Sequence, residues 1–449
     1  MSATRDVGTK VGSALPVLGV RWMTASKTKL EGRPGVTIIG ASAGNMIEWY
    51  DWFVYSTFMP YFADVFFPSA DRKAAFISTA AVLAMGYQIR PIGAWLMGAY
   101  ADREGRKAAL KLSMSLMCMT SVVIAVLPGY RTIGIIAPFL LVCSRLLQGA
   151  AIGGEFGTSG VYLSEVATPG RRGLYCSFQY VALVSGQFFA SFVLLALQRL
   201  LTIGQLSDWG WRAAFAIEGV FALAILCIRR RLPETRSFES VKAGRDQRSG
   251  LLVLFGHHAK AAFAVGALTA GGTLAFYAYA TYLPGFLVDT GFARETATHI
   301  TAGALLVFML CQPVAGMLSD RFGSTPLMIG FGALGLLFTC VIFWLIAAAG
   351  SAYAVFGLAS AGLLIATGYT AVNALVKAEM FPAHIRCLGV ALSGSLANTI
   401  FGGTAQSVAR HFREEGNEGW FIWYITAVIG IALVAYVGMR GPRRHRLSY

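Results

Sequence analysis

Long apolar segments recur along this 449-residue chain and constrain its fold more than any other feature. Each is about 20 residues long, so that a helix rising about 1.5 Å per residue could cross a hydrocarbon core of about 30 Å. Clear examples are 110–128, 261–283, 328–349 and 421–439. Since 56% of the residues are hydrophobic and only 13% are charged, the chain has too few charges to cover a water-soluble protein of this size. The sequence therefore predicts an all-α polytopic membrane protein.

Twelve spans are predicted, and the basic residues between them indicate an orientation. The approximate spans are 36–63, 74–99, 108–128, 134–162, 173–200, 211–229, 257–288, 298–318, 325–349, 352–376, 386–410 and 420–439. An even number of spans places both termini on the same side of the membrane, and most of the 37 Lys and Arg residues lie on that side. The positive-inside rule therefore predicts that both termini are cytoplasmic. The net charge of +15 then reflects topology and attraction to anionic lipid headgroups, and no binding to nucleic acid is expected.

A basic segment near the middle of the chain separates six spans from six. We expect 230–256 to be a cytoplasmic linker between a bundle at 36–229 and a second bundle at 257–439. The remaining segments, 1–35 and 440–449, are predicted to be cytoplasmic tails.

An internal repeat supports two related halves. A loop motif after the second span contains Gly98, Asp102, Arg103, Gly105, Arg106 and Lys107. Asp320 and Arg321 occupy the corresponding positions after the eighth span. Parallel duplicated halves imply a binding site at their interface.

The sequence offers little support for an enzyme or a metal site. The seven cysteines are scattered singly, without the spacing of a disulfide scaffold or of metal ligands. The loops contain no Gly-rich phosphate-binding loop, metal triad or nucleophile elbow. We therefore expect neither an enzyme nor a cofactor.

Several motifs together resemble the major facilitator superfamily. The motif at 98–107, its partial repeat and RLLQG at 145–149 carry this resemblance. More narrowly, GNMIEWYD at 44–51, RPIG at 90–93, GGE at 153–155, SFQY at 177–180 and WGWR at 209–212 resemble the metabolite:proton symporter family.

The resemblance implies a fold of two six-helix halves that rock about a central site. It also implies uptake of a dicarboxylate, such as α-ketoglutarate, across a bacterial inner membrane, with the proton as the coupling ion. A small-molecule carboxylate and the lipid bilayer are then the expected partners. No protein partner is implied, so that a monomer would suffice.

Ionisable residues inside a bilayer are costly, so those that persist should face a partner or a watery cavity. Arg90 is the favoured substrate anchor, because a guanidinium stays charged and can bind a carboxylate through two parallel hydrogen bonds. Alternatively, Arg90 only pairs with an acid on a neighbouring helix. The further candidates for substrate binding are Tyr55, Gln179, Tyr277 and Asn398, for which ordinary helix packing is the alternative.

Glu48 and Asp51 are the leading candidates for proton coupling, because a coupling carboxyl must change protonation as its surroundings alternate between wet and buried. Both lie on one polar face of the first helix, and Arg145 and Glu155 share a face of the fourth. The alternative is a permanent ion pair between Arg145 and an acid of the first helix. Glu155 lies nearer the predicted cytoplasmic end and is also a candidate gate residue.

The loop motif is the candidate gate. In the resembled superfamily the matching residues latch the inner gate, and this role is carried to Asp102 and Arg106. The other motif positions, Gly98, Arg103, Gly105, Lys107, Asp320 and Arg321, are expected at the same gate. A charged loop of this kind could also be only a solvated turn that sets topology.

Other cargoes remain open on the sequence alone. Citrate, shikimate or a zwitterionic osmolyte such as betaine or proline would suit the same scaffold. For a cationic or zwitterionic solute, Glu48 and Asp51 would be the anchors, and a mainly cationic cargo would give Arg90 no function.

Overall fold

A computed structural model describes residues 34–69, 71–243 and 249–439. The two predicted tails, apart from residues 34 and 35, lie outside this part of the chain. The described residues form helices joined by short connections, without a β-strand.

Twelve helices, labelled α1 to α12, run back and forth through the molecule, which confirms the predicted all-α fold. The first six are α1 (Pro34–Phe66), α2 (Arg72–Gln88 and Arg90–Glu104), α3 (Arg106–Val126), α4 (Ile136–Val166), α5 (Arg172–Leu200) and α6 (Ile203–Arg230). The second six are α7 (Ala259–Asp289), α8 (Arg294–Phe322), α9 (Ser324–Ala348), α10 (Ala352–Glu379), α11 (Arg386–Ala397, Asn398–Gly402 and Gly403–Glu414) and α12 (Glu418–Gly438). Two short helices, Arg236–Ala243 and Leu251–His257, lie between the halves. The end of the molecule that holds them is called the linker face.

The largest difference from the predicted spans is at α6, which begins at Ile203 rather than at 211. Thr202 accepts a hydrogen bond from the backbone of Gln205, and the Gln205 side chain accepts one from the backbone of Thr202. This reciprocal cap starts the helix early, and a π-helical turn at Leu206–Gly210 continues it into Trp211–Arg230.

Length and hydropathy alone mark nine of the described helices as membrane spans, and α1, α2 and α11 are not among them. The helix α1 contains Glu48 and Asp51, α2 is interrupted at Ile89, and α11 contains the π-helical turn Asn398–Gly402. All three line a central cavity, where a helix needs less apolar surface than it does against lipid.

The halves meet mainly through two helix pairs near the linker face. The second segment of α2 packs against α11, and α5 packs against α8. A Cβ on Gly98 would lie only 2.8 Å from the Cα of Leu388, so α2 and α11 approach this closely because residue 98 has no side chain. This contact places the loop motif directly against the second half.

Candidate substrate, proton and gate sites

Two adjoining cavities lie between the halves. The larger has a volume of about 210 Å³ and the smaller of about 80 Å³. Both are lined by Glu48 and Trp49 of α1, Arg90 of α2 and Tyr277 of α7. A solute at these four residues would therefore contact both halves.

Arg90 and Glu48 form an ion pair on the shared wall, with 3.3 Å between Nη1 and Oε1. Their side chains are only 11% and 6% exposed. Within the described part of the chain, Nε of Arg90 and Oε2 of Glu48 have no hydrogen-bond partner. The Arg90 guanidinium also lies 4.3 Å from the centre of the Tyr87 ring. Arg90 thus pairs with an acid of a neighbouring helix, and its Nε is a buried donor without a partner among the described residues.

Three of the other substrate candidates line the cavities. Tyr277 borders both, whereas Gln179 and Asn398 border the smaller one. Nε2 of Gln179 donates to the carbonyl of Phe156 at 2.6 Å, and the backbone carbonyl of Asn398 accepts from the Tyr87 hydroxyl at 3.2 Å. The Asn398 contact joins α2 to α11 across the interface between the halves.

Asp51 and Arg145 form a second buried ion pair, which links α1 to α4. The Nη1 atom of Arg145 donates to Oδ1 of Asp51 at 2.7 Å and to Oδ2 at 2.9 Å. Tyr55, a candidate for substrate binding, packs its ring 4.4 Å from the Arg145 guanidinium, and its hydroxyl donates to the carbonyl of Thr79. Among the described residues, the lining of neither cavity includes Asp51, Arg145 or Tyr55. The structure therefore places Tyr55 with the ion pair and away from the central site.

Glu218 of α6 joins this cluster and was missed by the sequence reading. It is fully buried beside Asp51, and its Oε1 accepts a hydrogen bond of 2.6 Å from the Ser121 hydroxyl. No Lys or Arg of the described residues lies within salt-bridge distance of it. The sequence did contain a signal for Glu218, because it is an acidic residue inside the predicted span 211–229. The same criterion, an ionisable residue within a span, singled out Glu48 and Asp51.

Glu155 pairs with Arg229 of α6, and the Ser113 hydroxyl donates to the same carboxylate. Arg229 is fully buried and also donates to the carbonyls of Gly40 and Leu110. The structure therefore places Glu155 inside the first half, where it joins α4 to α1, α3 and α6.

The two repeated aspartates form matching contacts between the halves. Asp102 of α2 accepts hydrogen bonds of 3.0 Å from the backbone N–H groups of Cys387 and Leu388, at the start of α11. Asp320 of α8 accepts bonds of 2.6 and 2.9 Å from Gly173 and Leu174, at the start of α5. A carboxylate is favourable at a helix amino terminus, because free N–H groups and the helix dipole both stabilise it. Each half thus caps a helix of the other.

A buried charge cluster lies beside these caps, and of its members only Arg106 was predicted to be a gate residue. Glu165 of α4 accepts from Arg106 of α3 at 3.2 Å and from Arg386 of α11 at 2.5 Å. The hydroxyl of Thr235, which follows α6, donates to it at 2.6 Å. Arg106 in turn donates to the carbonyl of Ala383 in the second half at 2.6 Å. The linker face is closed by this cluster together with the two caps.

The remaining motif residues hold the loop in place. Gly105 has φ 112°, a conformation that favours glycine, and Arg103 donates to the carbonyl of Ser249 at 3.2 Å. The backbone N–H groups of Arg106 and Lys107 donate to Glu234. Burial raises the pKa of Glu234, and hydrogen bonds from backbone N–H groups partly oppose this.

Arg321, like Arg103, is exposed. Its guanidinium lies 5.3 Å from the ring centre of Phe322.

The sequence is similar to known transporters along most of its length. A model of the family described as "Sugar (and other) transporter" matches residues 36–252. The chain is also 46% identical to the alpha-ketoglutarate permease of Escherichia coli (strain K12) over 398 residues, which are 88% of this chain and 91% of the relative.

The chain belongs to the metabolite:proton symporter family of the major facilitator superfamily. It is therefore a multi-pass membrane transporter and not an enzyme.

Two further comparisons extend the similarity, one in sequence and one in fold. A citrate-proton symporter of Salmonella typhi is 31% identical, over 93% of this chain and 98% of the relative. The structure of the proton:xylose symporter XylE bound to 6-bromo-6-deoxy-D-glucose superposes with a TM-score of 0.75 at 20% identity, covering 92% of this chain and 98% of that one. This structural match shows the superfamily fold.

Proposed function

We propose that this member of the metabolite:proton symporter family takes up a dicarboxylate, such as α-ketoglutarate, together with protons. The observation that carries the proposal is the Arg90–Glu48 ion pair on the wall common to both central cavities. The relative at 46% identity, named as an alpha-ketoglutarate permease, supports the substrate class.

Arg90 binds one carboxylate of the substrate, because its guanidinium faces the cavity and Nε lacks a partner among the described residues. Glu48 competes with the substrate for the same guanidinium. When Glu48 takes up a proton, its attraction for Arg90 weakens and the guanidinium becomes available to the substrate. Proton and carboxylate therefore bind together, and an ionised Glu48 disfavours binding of the anion alone.

Transport then follows from movement of the halves, 36–229 and 257–439, about the linker 230–256. The linker face and both termini are cytoplasmic in this proposal, and the protein acts as a monomer in the bacterial inner membrane. The contacts of Asp102, Asp320 and Glu165 hold the cytoplasmic end closed and must break before the substrate is released. The ion pairs of Asp51 with Arg145 and of Glu155 with Arg229 hold the helices of the first half together during this movement.

Transport by the purified protein in proteoliposomes tests the proposal. Labelled α-ketoglutarate should accumulate when the outside is more acidic than the lumen, and a protonophore should abolish the accumulation. Citrate and betaine, tested in parallel, distinguish the other cargoes. Absence of uptake, or uptake that ignores the gradient, contradicts proton symport of α-ketoglutarate.

The variant Glu48→Gln tests the coupling step. It imitates a permanently protonated side chain, so it should exchange α-ketoglutarate across the membrane but no longer accumulate it in response to a pH gradient. Glu239→Gln changes an exposed acid of the linker helix and should behave as wild type. Accumulation by Glu48→Gln at the wild-type level would assign the proton to another group.

A further inference from the structure

Lys377 is a buried cation that the mechanism above does not use. It lies near the end of α10 and is only 3% exposed. Its ammonium donates to Oδ1 of Asn373 at 3.2 Å and lies 5.2 Å from the ring centre of Tyr369. In the described part of the chain it forms no salt bridge, unlike Arg90, Arg145 and Arg229. A buried charge without a counterion is costly, so this position favours an anion.

The smaller cavity connects Lys377 to the central site. Lys377 lines it from the second half, and Arg90 lines it from the first half. The remaining polar wall includes Gln179, Asn373 and Asn398. An anion between the two cations would touch both halves at once.

The charges around the cavities favour a dianion. Arg90 and a protonated Lys377 contribute two positive charges, and Glu48 contributes one negative charge until it is protonated. After protonation, two positive charges face the site. A dicarboxylate neutralises both, whereas a monocarboxylate leaves one buried cation without a counterion.

We propose that Lys377 binds the second carboxylate of the substrate and so selects dicarboxylates over monocarboxylates. This inference rests on the proposed function, which supplies the first carboxylate at Arg90. Because the two carboxylates then bind cations of different halves, substrate binding also draws the halves together around the site.

Binding of two 2-oxo acids to purified protein tests the role of Lys377. α-Ketoglutarate is compared with 2-oxopentanoate, which has the same five-carbon chain but a methyl group in place of the distal carboxylate. Tryptophan fluorescence is a suitable signal, since Trp49 and Trp52 line the larger cavity. At mildly acidic pH, the wild type should bind the dicarboxylate more tightly by about 10- to 100-fold, as expected for one charge-assisted hydrogen bond in a buried site.

Two variants should remove this preference by different routes. Lys377→Gln removes the charge, and Asn373→Asp places a carboxylate of nearly the same shape beside the ammonium. In both, the affinity ratio of the two acids should approach one while 2-oxopentanoate binds as before. Lys377→Arg should retain the preference, and Lys111→Gln, a lysine of α3, is the matched control.

The outcomes separate this inference from the proposed function. If wild type prefers the dicarboxylate and both Lys377→Gln and Asn373→Asp keep that preference, Lys377 is not the second anchor although the proposed function stands. If wild type binds neither acid, both proposals fail. Should Lys377→Gln not fold, the nearly isosteric Asn373→Asp decides the question.

Discussion

The carboxylate of Glu165 in α4 lies 2.5 Å from the guanidinium of Arg386 in α11, and this pair joins the two halves at the linker face. The same carboxylate pairs with Arg106, so that one buried acid compensates two buried arginines. Because the pair must separate before this face can open, its strength influences the fraction of molecules that are closed.

Replacing Glu165 with Gln should open the linker face. The change preserves side-chain size but removes charged hydrogen bonds worth about 1.5–3 kcal/mol each. A loss of about 2 kcal/mol would raise the open-to-closed ratio about 30-fold. Cys387 is fully buried at this face, so its labelling by a water-soluble maleimide, mapped by mass spectrometry, reports opening. Labelling no faster than in wild type, or an equal increase in the exposed-site control Glu239→Gln, contradicts the prediction.

Asp102→Asn should impair transport more than Asp320→Asn. Both aspartates cap a helix of the other half, but Asp102 is buried and also lies 3.6 Å from Arg106. Asp320 is only partly buried. The Asp102 carboxylate therefore has more interactions that depend on its charge. Initial uptake rates in proteoliposomes, normalised to the amount of folded protein, measure the difference, and equal losses would show that the two caps are equivalent.

Arg90→Lys should reduce uptake sharply. Lysine keeps the charge but lacks the planar fork that binds a carboxylate through two hydrogen bonds, so the KM for α-ketoglutarate should rise by about tenfold or more. Uptake as a function of substrate concentration provides the measurement. Near-wild-type kinetics would leave Arg90 only as the partner of Glu48.

Glu218→Gln should be tolerated, whereas Asp51→Asn should destabilise the fold. Glu218 forms no salt bridge among the described residues, and the Ser121 hydroxyl that donates to its carboxylate can donate equally well to the amide oxygen of a glutamine. The Ser121 hydroxyl has its own acceptor in the carbonyl of Met117 at 2.7 Å. Asp51→Asn instead leaves Arg145 without its carboxylate, at a cost of about 3–5 kcal/mol.

Thermal denaturation in detergent compares the two variants. The midpoint of Glu218→Gln should stay close to wild type, and that of Asp51→Asn should fall clearly below it. A large loss of stability in Glu218→Gln would indicate that Glu218 is ionised and paired within the fold.

The sequence predicted the fold class well, because a bilayer imposes a simple physical requirement. A spanning helix must present about 20 mostly apolar residues, so hydropathy locates it without knowledge of its neighbours. Length and hydropathy mark nine of the described helices in this way, and the predicted spans also included α1, α2 and α11, whose hydropathy is lowered by polar residues and interruptions. The prediction placed the start of α6 too late, since the cap at Thr202 is a local hydrogen-bond feature outside the apolar run.

The chemistry of individual charges was less predictable. The rule that intramembrane charges have partners singled out Glu48, Asp51, Arg90 and Arg145, but it did not say which acid pairs with which arginine. Pairing depends on how helices distant in sequence lie against one another. Glu165 contacts Arg386 across 221 positions of the chain, and Arg90 meets Glu48 because α1 and α2 border the same cavity.

By itself, then, the sequence determined a twelve-helix protein with two related halves and a small set of costly charges within its spans. Only the tertiary structure decided that Tyr55 belongs with Arg145, that Glu155 belongs with Arg229 and that Lys377 faces a cavity without a salt-bridge partner among the described residues. The physical reason is that hydrophobicity acts on each helix separately. Ion pairing and cavity formation depend on the distances between side chains of different helices, and packing alone fixes those distances.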